Sequence, residues 1–474
     1  MPELRSSDVV AVREQLGREP TTRFSVVARC FPGHPLVIRN HPLDAEGDPF
    51  PTLYWLTCPE AVKRVARLES EGWIDRLEER FDAELERVHR AYAEDRAREL
   101  SEAAAWGGVG GTRTGVKCLH AHYAYHLAGG DDPVGAWVAE RVEPVHQEGD
   151  RVAAIDLGTN SIRLIVAESA ERSVAERRGA GLVPALGELA RDMVITRIGK
   201  GVGETGRIDP DALARTVGVL KTYCRRARAL HASSIRVGAT SAVRDASNRE
   251  ALEEAVLLHA GSKLEIISGE REAGLSFLGA TTGLDAPRPL AVLDIGGGST
   301  EFVVGGDEPQ AAISTQMGSV RLTERFVSSD PPTGAEREAL VTAVGKMLDE
   351  VETTVPVREA RTLVAVAGTA TTLQAIDLGL PFYDPEAIHR SKLSLHAAES
   401  VLERLAAMTS AERAELPVMA PGREDVIVAG ATILVEVMRR FGFDEAVVSE
   451  TDILDGLALE LLGLSRPGAR PSGP

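Results

Sequence analysis

The stretch LAVLDIGGGSTEFVVGG (290–306) runs apolar as far as Asp294, breaks into three glycines, adds Ser299, Thr300 and Glu301, and turns apolar again. Two buried-strand patterns joined by a turn of bare backbone read as a hairpin with carboxylates and hydroxyls at its tip. The segment VAAIDLGTNSIRLIVAE (152–168) aligns with it without a gap: Asp156 falls on Asp294, Gly158 on Gly296 and Ser161 on Ser299. An internal echo of this kind predicts two halves that repeat one topology.

The chemistry of the repeated turn follows from its residue types. Glycine lets backbone N–H groups approach an anion with no side chain in the way, and Ser or Thr hydroxyls add donors. Such turns cradle phosphate. A carboxylate repels phosphate oxygens, so Asp294, Glu301 and their first-copy counterpart Asp156 are expected to act through a divalent cation, Mg²⁺ or Mn²⁺, or by orienting water. A third glycine–hydroxyl segment, VAVAGTATTLQAI (364–376), feeds a strand into a helix through Gly368 and Thr369 and adds a further expected phosphate contact. The competing reading, a tight hairpin with no ligand, fits one copy better than three such segments.

Outward from these turns, residues 151 to about 465 alternate short β-branched runs (VAAIDL, SIRVGA, LEIIS, LAVLDI, LVAVAG) with helical stretches, the pattern of an α/β fold. Residues 1–147 differ. They hold all four tryptophans and seven of the eleven histidines, so a separate mixed, helix-rich domain is expected there, with the boundary at Gln147 to Asp150. The expected divisions are 1–147, 151–288, 289–465 and a disordered tail at 466–474.

Composition excludes several classes. With 43% hydrophobic and 26% charged residues in 474, the chain buries more than one core and is not a disordered protein. The longest uncharged apolar run, Val426 to Val435, is far short of the roughly 20 residues that span a bilayer, and MPELRSSDVV is no signal peptide. No membrane partner and a cytoplasmic location are expected. Four cysteines make no disulfide framework. A net charge of −18 repels nucleic acid, so any polyanion must be met by a local basic patch or a bound cation.

In the first unit, EAVKRVARLESEGWIDRLEERFDAELERVHRAYAEDRARELSEAA (60–104) spaces apolar residues as one long helix or two. GGVGGTRTGVKCLHAHYAYHL (107–127) is no P-loop, because Val116 separates its last glycine from Lys117; a looser anion site with Arg113 and Lys117 stays open. Cys30, His34, Cys58, Cys118, His120 and His122 are possible ligands for Zn²⁺ or Fe, against the blander reading of buried, unliganded side chains. On a helix, Cys118 and His122 would share a face while His120 points away.

The ordered segments AAIDLGTNSIRLIV, RIGKGV, GATSAVRDASNR, EIISGEREAGLSFLGA, VLDIGGGSTEF, MGSVRLTERF and VAGTATTLQAI resemble the exopolyphosphatase and guanosine pentaphosphate phosphohydrolase family over residues 151 to about 462. The resemblance implies two ribonuclease-H-like domains of the actin and sugar-kinase superfamily around a cleft, and removal of terminal phosphate from polyphosphate or guanosine pentaphosphate. It implies Glu272 as catalytic base, with Arg244 and Arg321 facing the phosphate chain. Asp294 and Glu301 would hold the metal, and backbone donors would come from Gly158, Thr159, Asn160, Gly296, Gly297, Gly298 and Ser299. Arg244 as a loop salt-bridge partner and Glu270 as a solvated helix-start carboxylate are the bland alternatives.

Lys200 in RIGKGV, and Asp452 and Ile453 in SETDILDGLAL, depart from the family pattern. No extra helical domains follow residue 465, so short polymers are the expected substrate, and a homodimer is expected. A catalytically weak polyphosphate or nucleotide sensor using the same cleft is the alternative, and a kinase a weaker one. Residues 5 to about 142 resemble a bacterial domain family of unknown function, through PFPTLYWLTCPEAVKRVARLE and GVKCLHAHYAYHLAGGDDPVG, which implies no activity.

Overall fold

The computed structural model describes residues 4–30, 34–44, 47, 50, 52–97, 107–142, 151–169 and 186–464. The expected boundary at Gln147–Asp150 and the tail at 466–474 lie outside them.

Three sheets organise the chain. β1 (Phe24–Arg29), β2 (Pro35–Asn40) and β3 (Tyr54–Leu56) form an antiparallel sheet near the N-terminus. The second sheet holds β4 (Arg151–Leu157), β5 (Ser161–Ser169), β6 (Leu186–Ile195), β7 (Ser234–Ala239) and β8 (Glu265–Ile266), in the order β6-β5-β4-β7-β8. The third holds β9 (Leu290–Ile295), β10 (Thr300–Gly305), β11 (Pro309–Thr315), β12 (Thr362–Val366), β13 (Lys392–Ser394) and β14 (Glu445–Val448), in the order β11-β10-β9-β12-β14-β13.

The two larger sheets repeat one topology. In each, three antiparallel strands form a meander and a fourth strand adds parallel to the first, β7 beside β4 and β12 beside β9. Every residue of β4, β9 and β10 is buried, as unbroken apolar runs covered on both faces should be. The echo in sequence is therefore an echo in space, and the two turns occupy equivalent hairpin tips.

Two helices lie between the halves. Helix Gly269–Thr281 is capped by Ser268, whose side chain accepts from the Arg271 N–H. One face packs Ala273, Phe277 and Ala280 on Leu290, Val292, Val303 and Val364 of the third sheet. Its other face meets helix Ile453–Leu461, which returns from the chain end to cover Ala154, Ile165 and Ala167 of the second sheet. The helices cross at glycines: a Cβ on Gly279 would strike the Asp452 carbonyl, and one on Gly456 the backbone of Leu275. Small residues thus bring this helix pair to backbone contact, and the pair fixes where residue 272 emerges.

The long helical pattern of the first unit divides into Pro59–Ser70 and Trp73–Ala97, because Gly72 takes a left-handed conformation (φ 76) and ends the first helix. This unit does not hang from the rest. Its core, including Tyr54, Tyr92 and Tyr125, continues without a break into Tyr223, Leu220 and Ile155 of the first half. Gly129 lies so close to helix Pro210–Ala229 that a Cβ would stand 2.7 Å from the Thr222 carbonyl, and Arg225 Nε donates to the Gly129 carbonyl at 2.8 Å.

Candidate active site

The hairpin turns are built alike. The Gly158 N–H donates to the Ser161 carbonyl at 2.9 Å, and the Gly296 N–H to the Ser299 carbonyl at 3.0 Å. These two expected phosphate donors are therefore spent closing the turns, and Gly158 and Gly296 set shape instead. The remaining carbonyls are drawn backward. Thr159 accepts from the Gly199 N–H, and Asn160 from those of Thr196 and Arg197. In the second copy, Gly296 accepts from the Ser319 N–H, Gly297 from those of Val320 and Arg321, and Gly298 from Arg321 Nε at 2.8 Å. With the carbonyls tied down, the N–H groups of Thr159, Asn160, Gly297 and Gly298 have no acceptor among the described residues. An oriented set of unpaired donors is an anion-binding concavity.

The turns face each other. A Cβ on Gly298 would lie 2.6 Å from Thr159 Oγ1 and 2.7 Å from Ser241 Oγ, and one on Gly297 would lie 3.1 Å from Thr159 Cβ. Only glycine lets the halves close this far.

Cross-strand register sets the charges behind the turns. Asp156 pairs with Arg163 across β4 and β5, and Asp294 with Glu301 across β9 and β10, at equivalent positions of the repeat. The first copy is thus an ion pair, with Arg163 Nη2 2.7 Å from Asp156 Oδ2. Arg163 also holds Asp452 at the start of helix Ile453–Leu461. The departure from the family pattern at residue 452 is therefore a buried anion bonded to a cation that the sequence reading did not single out.

The second copy is a buried carboxylate pair. Ser276 Oγ donates to Asp294 at 2.5 Å, and Ser314 Oγ to Glu301 at 2.6 Å. Burial, then the charge of Asp452, raises the Asp294 pKa to about 6 despite the Ser276 bond. Burial, then Asp294, raises Glu301 to about 8 despite Ser314 and Ser299. Glu272 projects from helix Gly269–Thr281 beside them; burial first, then Glu301, Asp294 and Asp156, lift its pKa well above the usual carboxylate range, with Arg244 opposing. Arg244 Nη1 lies 3.3 Å from Glu272 Oε2 and 2.8 Å from the Ile267 carbonyl.

Such a cluster asks for positive charge. Asp156 Oδ1 and Glu301 Oε2 are buried without a hydrogen-bond partner, which suits a divalent cation. No three of these carboxylates, however, bring ligand atoms within 4.8 Å of one another. A cation here would be held by one or two of them, the rest of its shell being water and substrate oxygen, as Mg²⁺ prefers.

Other expected residues sit differently. Arg321 backs the Gly298 carbonyl, lies 3.5 Å from Ser241 Oγ beside the turns, and pairs with Asp245 at 3.0 Å, joining the two halves. Gly368 and Thr369 lie in the first turn of helix Ala367–Asp377, where Arg423 donates to the Gly368 carbonyl at 3.1 Å and to Thr372 Oγ1 at 2.8 Å. Arg423 thus brings a cation to the third segment. Lys200 and Glu270 are exposed. Arg163 could have been found from the repeat alignment, which sets it on Glu301, and Ser276 from its place four residues after Glu272 on one helix face.

The first unit reaches this site through charge. Glu188 on β6 takes Arg5 at 2.5 Å, Arg29 at 3.7 Å and Arg191 at 2.8 Å. Arg191 pairs with Asp455 at 2.5 Å, and Asp455 accepts the Asp452 N–H at 3.1 Å. Asp452 holds Arg163, which holds Asp156. No described helix is long and apolar enough to cross a membrane.

Comparison with known proteins agrees with this architecture. The Ppx/GppA phosphatase family model matches residues 173–464, and a model of a protein family of unknown function (DUF501) matches residues 26–140. Exopolyphosphatase 2 of Mycobacterium tuberculosis is 45% identical over 324 residues, covering 66% of this chain and 99% of its own. Among solved structures, an exopolyphosphatase-like protein (36% identity, TM-score 0.61) covers 66% of this chain and 99% of its own. The Aquifex aeolicus PPX-GPPA enzyme (31% identity, TM-score 0.55) has the same coverage. Two repeated hairpin turns, a buried carboxylate cluster and these likenesses together place the chain in the Ppx/GppA phosphatase family.

Proposed function

We propose that the chain removes terminal orthophosphate from inorganic polyphosphate, with guanosine pentaphosphate as the second candidate substrate, by direct attack of water. The observation that carries this reading is the position of Glu272, buried close to Glu301, Asp294 and Asp156, the carboxylates that flank two turns with unpaired N–H groups. The N–H groups of Thr159, Asn160, Gly297 and Gly298 bind the non-bridging oxygens of the chain end. Phosphoryl transfer is chiefly positioning and charge neutralisation, so fixed donors of this kind are the expected apparatus.

Glu272 takes a proton from water as its oxygen bonds to the terminal phosphorus. The bond from that phosphorus to the bridging oxygen breaks, and the shortened chain leaves with the electron pair. Arg244, bonded to Glu272, holds the base in place and favours its ionised form. One or two of Asp294, Glu301 and Asp156 would hold Mg²⁺ or Mn²⁺, which supplies charge neutralisation at the phosphate oxygens when bound.

Phosphate release from polyphosphates of graded length and from guanosine pentaphosphate, with Mg²⁺, tests the proposal. Release that favours short polyphosphate is the expected result. Tight binding of both substrates without release would overturn hydrolysis in favour of a sensor, and dependence on ADP would reveal a kinase.

A further inference from the structure

The first unit brings a thiol, an imidazole and a carboxylate together apart from the phosphate cleft. Helix Leu119–Leu127 begins one residue after Cys118, so Cys118 is its N-cap and the helical spacing that would have paired it with His122 does not apply. Its sulfur instead lies 3.6 Å from His120 Nδ1. The same Nδ1 lies 3.1 Å from Glu69 Oε1, on helix Pro59–Ser70. Among the described residues, Glu69, Cys118 and His120 are the one group of three such side chains whose ligand atoms all lie within 4.8 Å of one another. The other ligands considered from sequence are elsewhere: His122 is buried on Asp132 at 2.7 Å, Cys30 is hydrogen-bonded with Cys58, and His34 is exposed.

The surroundings fix how the imidazole presents itself. His120 Nε2 lies 3.0 Å from the Val62 carbonyl, which can only accept, so Nε2 carries a proton. Nδ1 then turns toward a carboxylate oxygen and a sulfur, where positive charge is favoured, carried either by a proton on the ring or by a bound metal ion in its place. An imidazole bonded through its far nitrogen to a backbone carbonyl is the usual posture of a metal ligand. Glu69 is fixed in turn, because Oε1 accepts the Leu119 N–H at 2.7 Å and supplies the helix cap that Cys118 does not make.

Two of the separations are those of a tetrahedral site. In a tetrahedral zinc site, ordinary Zn–S, Zn–N and Zn–O lengths put sulfur and nitrogen ligands roughly 3.5 Å apart and nitrogen and oxygen ligands roughly 3.3 Å apart. The separations here are 3.6 and 3.1 Å. All three residues are only partly buried, which leaves solvent access to the cluster. We propose that Cys118, His120 and Glu69 bind a borderline-soft divalent transition metal, Zn²⁺ in the first instance, with water as fourth ligand, joining helix Pro59–Ser70 to the start of helix Leu119–Leu127.

The test uses the full-length chain loaded with Co²⁺ in place of zinc, because a thiolate bound to Co²⁺ gives a charge-transfer absorption that the oxygen ligands of the cleft cannot produce. The wild-type chain is expected to show this band at one equivalent and to lose it on adding Zn²⁺. Cys118→Ser should abolish it, and Cys30→Ser should keep it. Glu69→Gln retains an acceptor for the Leu119 N–H and so guards against misfolding; it should bind Co²⁺ at least about tenfold more weakly. A wild-type chain without the band, or a band that survives Cys118→Ser, would overturn the assignment.

Discussion

Glu188→Gln tests how firmly the first unit is seated on the phosphatase halves. The substitution keeps the shape of the side chain and removes its charge. In the folded protein, burial pushes the Glu188 pKa up, but Arg191, Arg5 and Arg29 outweigh it and hold the group at about 2, against an ordinary value of 4.5. That difference corresponds to roughly 3 kcal/mol of folding stability. Because the folded value lies below the unfolded one, the contribution is fully present above about pH 4.5 and is lost as pH falls through about 2. Glu188→Gln should therefore cost about 3 kcal/mol at pH 7, and the gap to wild type should narrow in acid. All four tryptophans lie in residues 1–147, so tryptophan fluorescence during urea unfolding reports on the unit that Glu188 anchors. A loss below about 0.5 kcal/mol at pH 7, or one equally large at pH 3, would refute the reasoning, since buried ion pairs lose several kcal/mol when one partner goes.

Three further outcomes are expected. Gly298→Ala should lower phosphate release at least about tenfold with unchanged circular dichroism, because its methyl would press on Thr159 and Ser241 and hold the turns apart. Arg163→Met should lower stability by about 3–5 kcal/mol in thermal or urea unfolding, since it leaves Asp156 and Asp452 buried without their cation. Chelation with EDTA should reduce phosphate release to background and added Mg²⁺ or Mn²⁺ should restore it; full activity in EDTA would contradict a role for the carboxylate cluster in holding metal.

Much of this architecture was legible in the residues. The repeated apolar–Asp–Gly–apolar pattern predicts both hairpins and their equivalence, because strand period and turn chemistry are local properties. What sequence could not supply was the direction of each backbone group. Gly158 and Gly296 look like phosphate donors until the hairpin hydrogen bonds claim their N–H groups. Nor does any local pattern show that Arg321 pairs with Asp245 of the other half. Asp452 and Arg163 meet across most of the second unit's length, a contact that no local pattern encodes. For the same reason the sequence did not bring Glu69 beside Cys118 and His120, and the helix-spacing rule set Cys118 with His122 although the helix starts only at Leu119.

The central claim is that Glu272 aims water at a terminal phosphoryl group held by the paired turns. Phosphate release from polyphosphate in ¹⁸O-labelled water, comparing wild type with Glu272→Gln, tests it directly. The account predicts one labelled oxygen in each orthophosphate freed by the wild type, and release slowed about 10²–10⁴-fold in the variant with polyphosphate binding retained. Unlabelled orthophosphate, or a variant as fast as wild type, would contradict it.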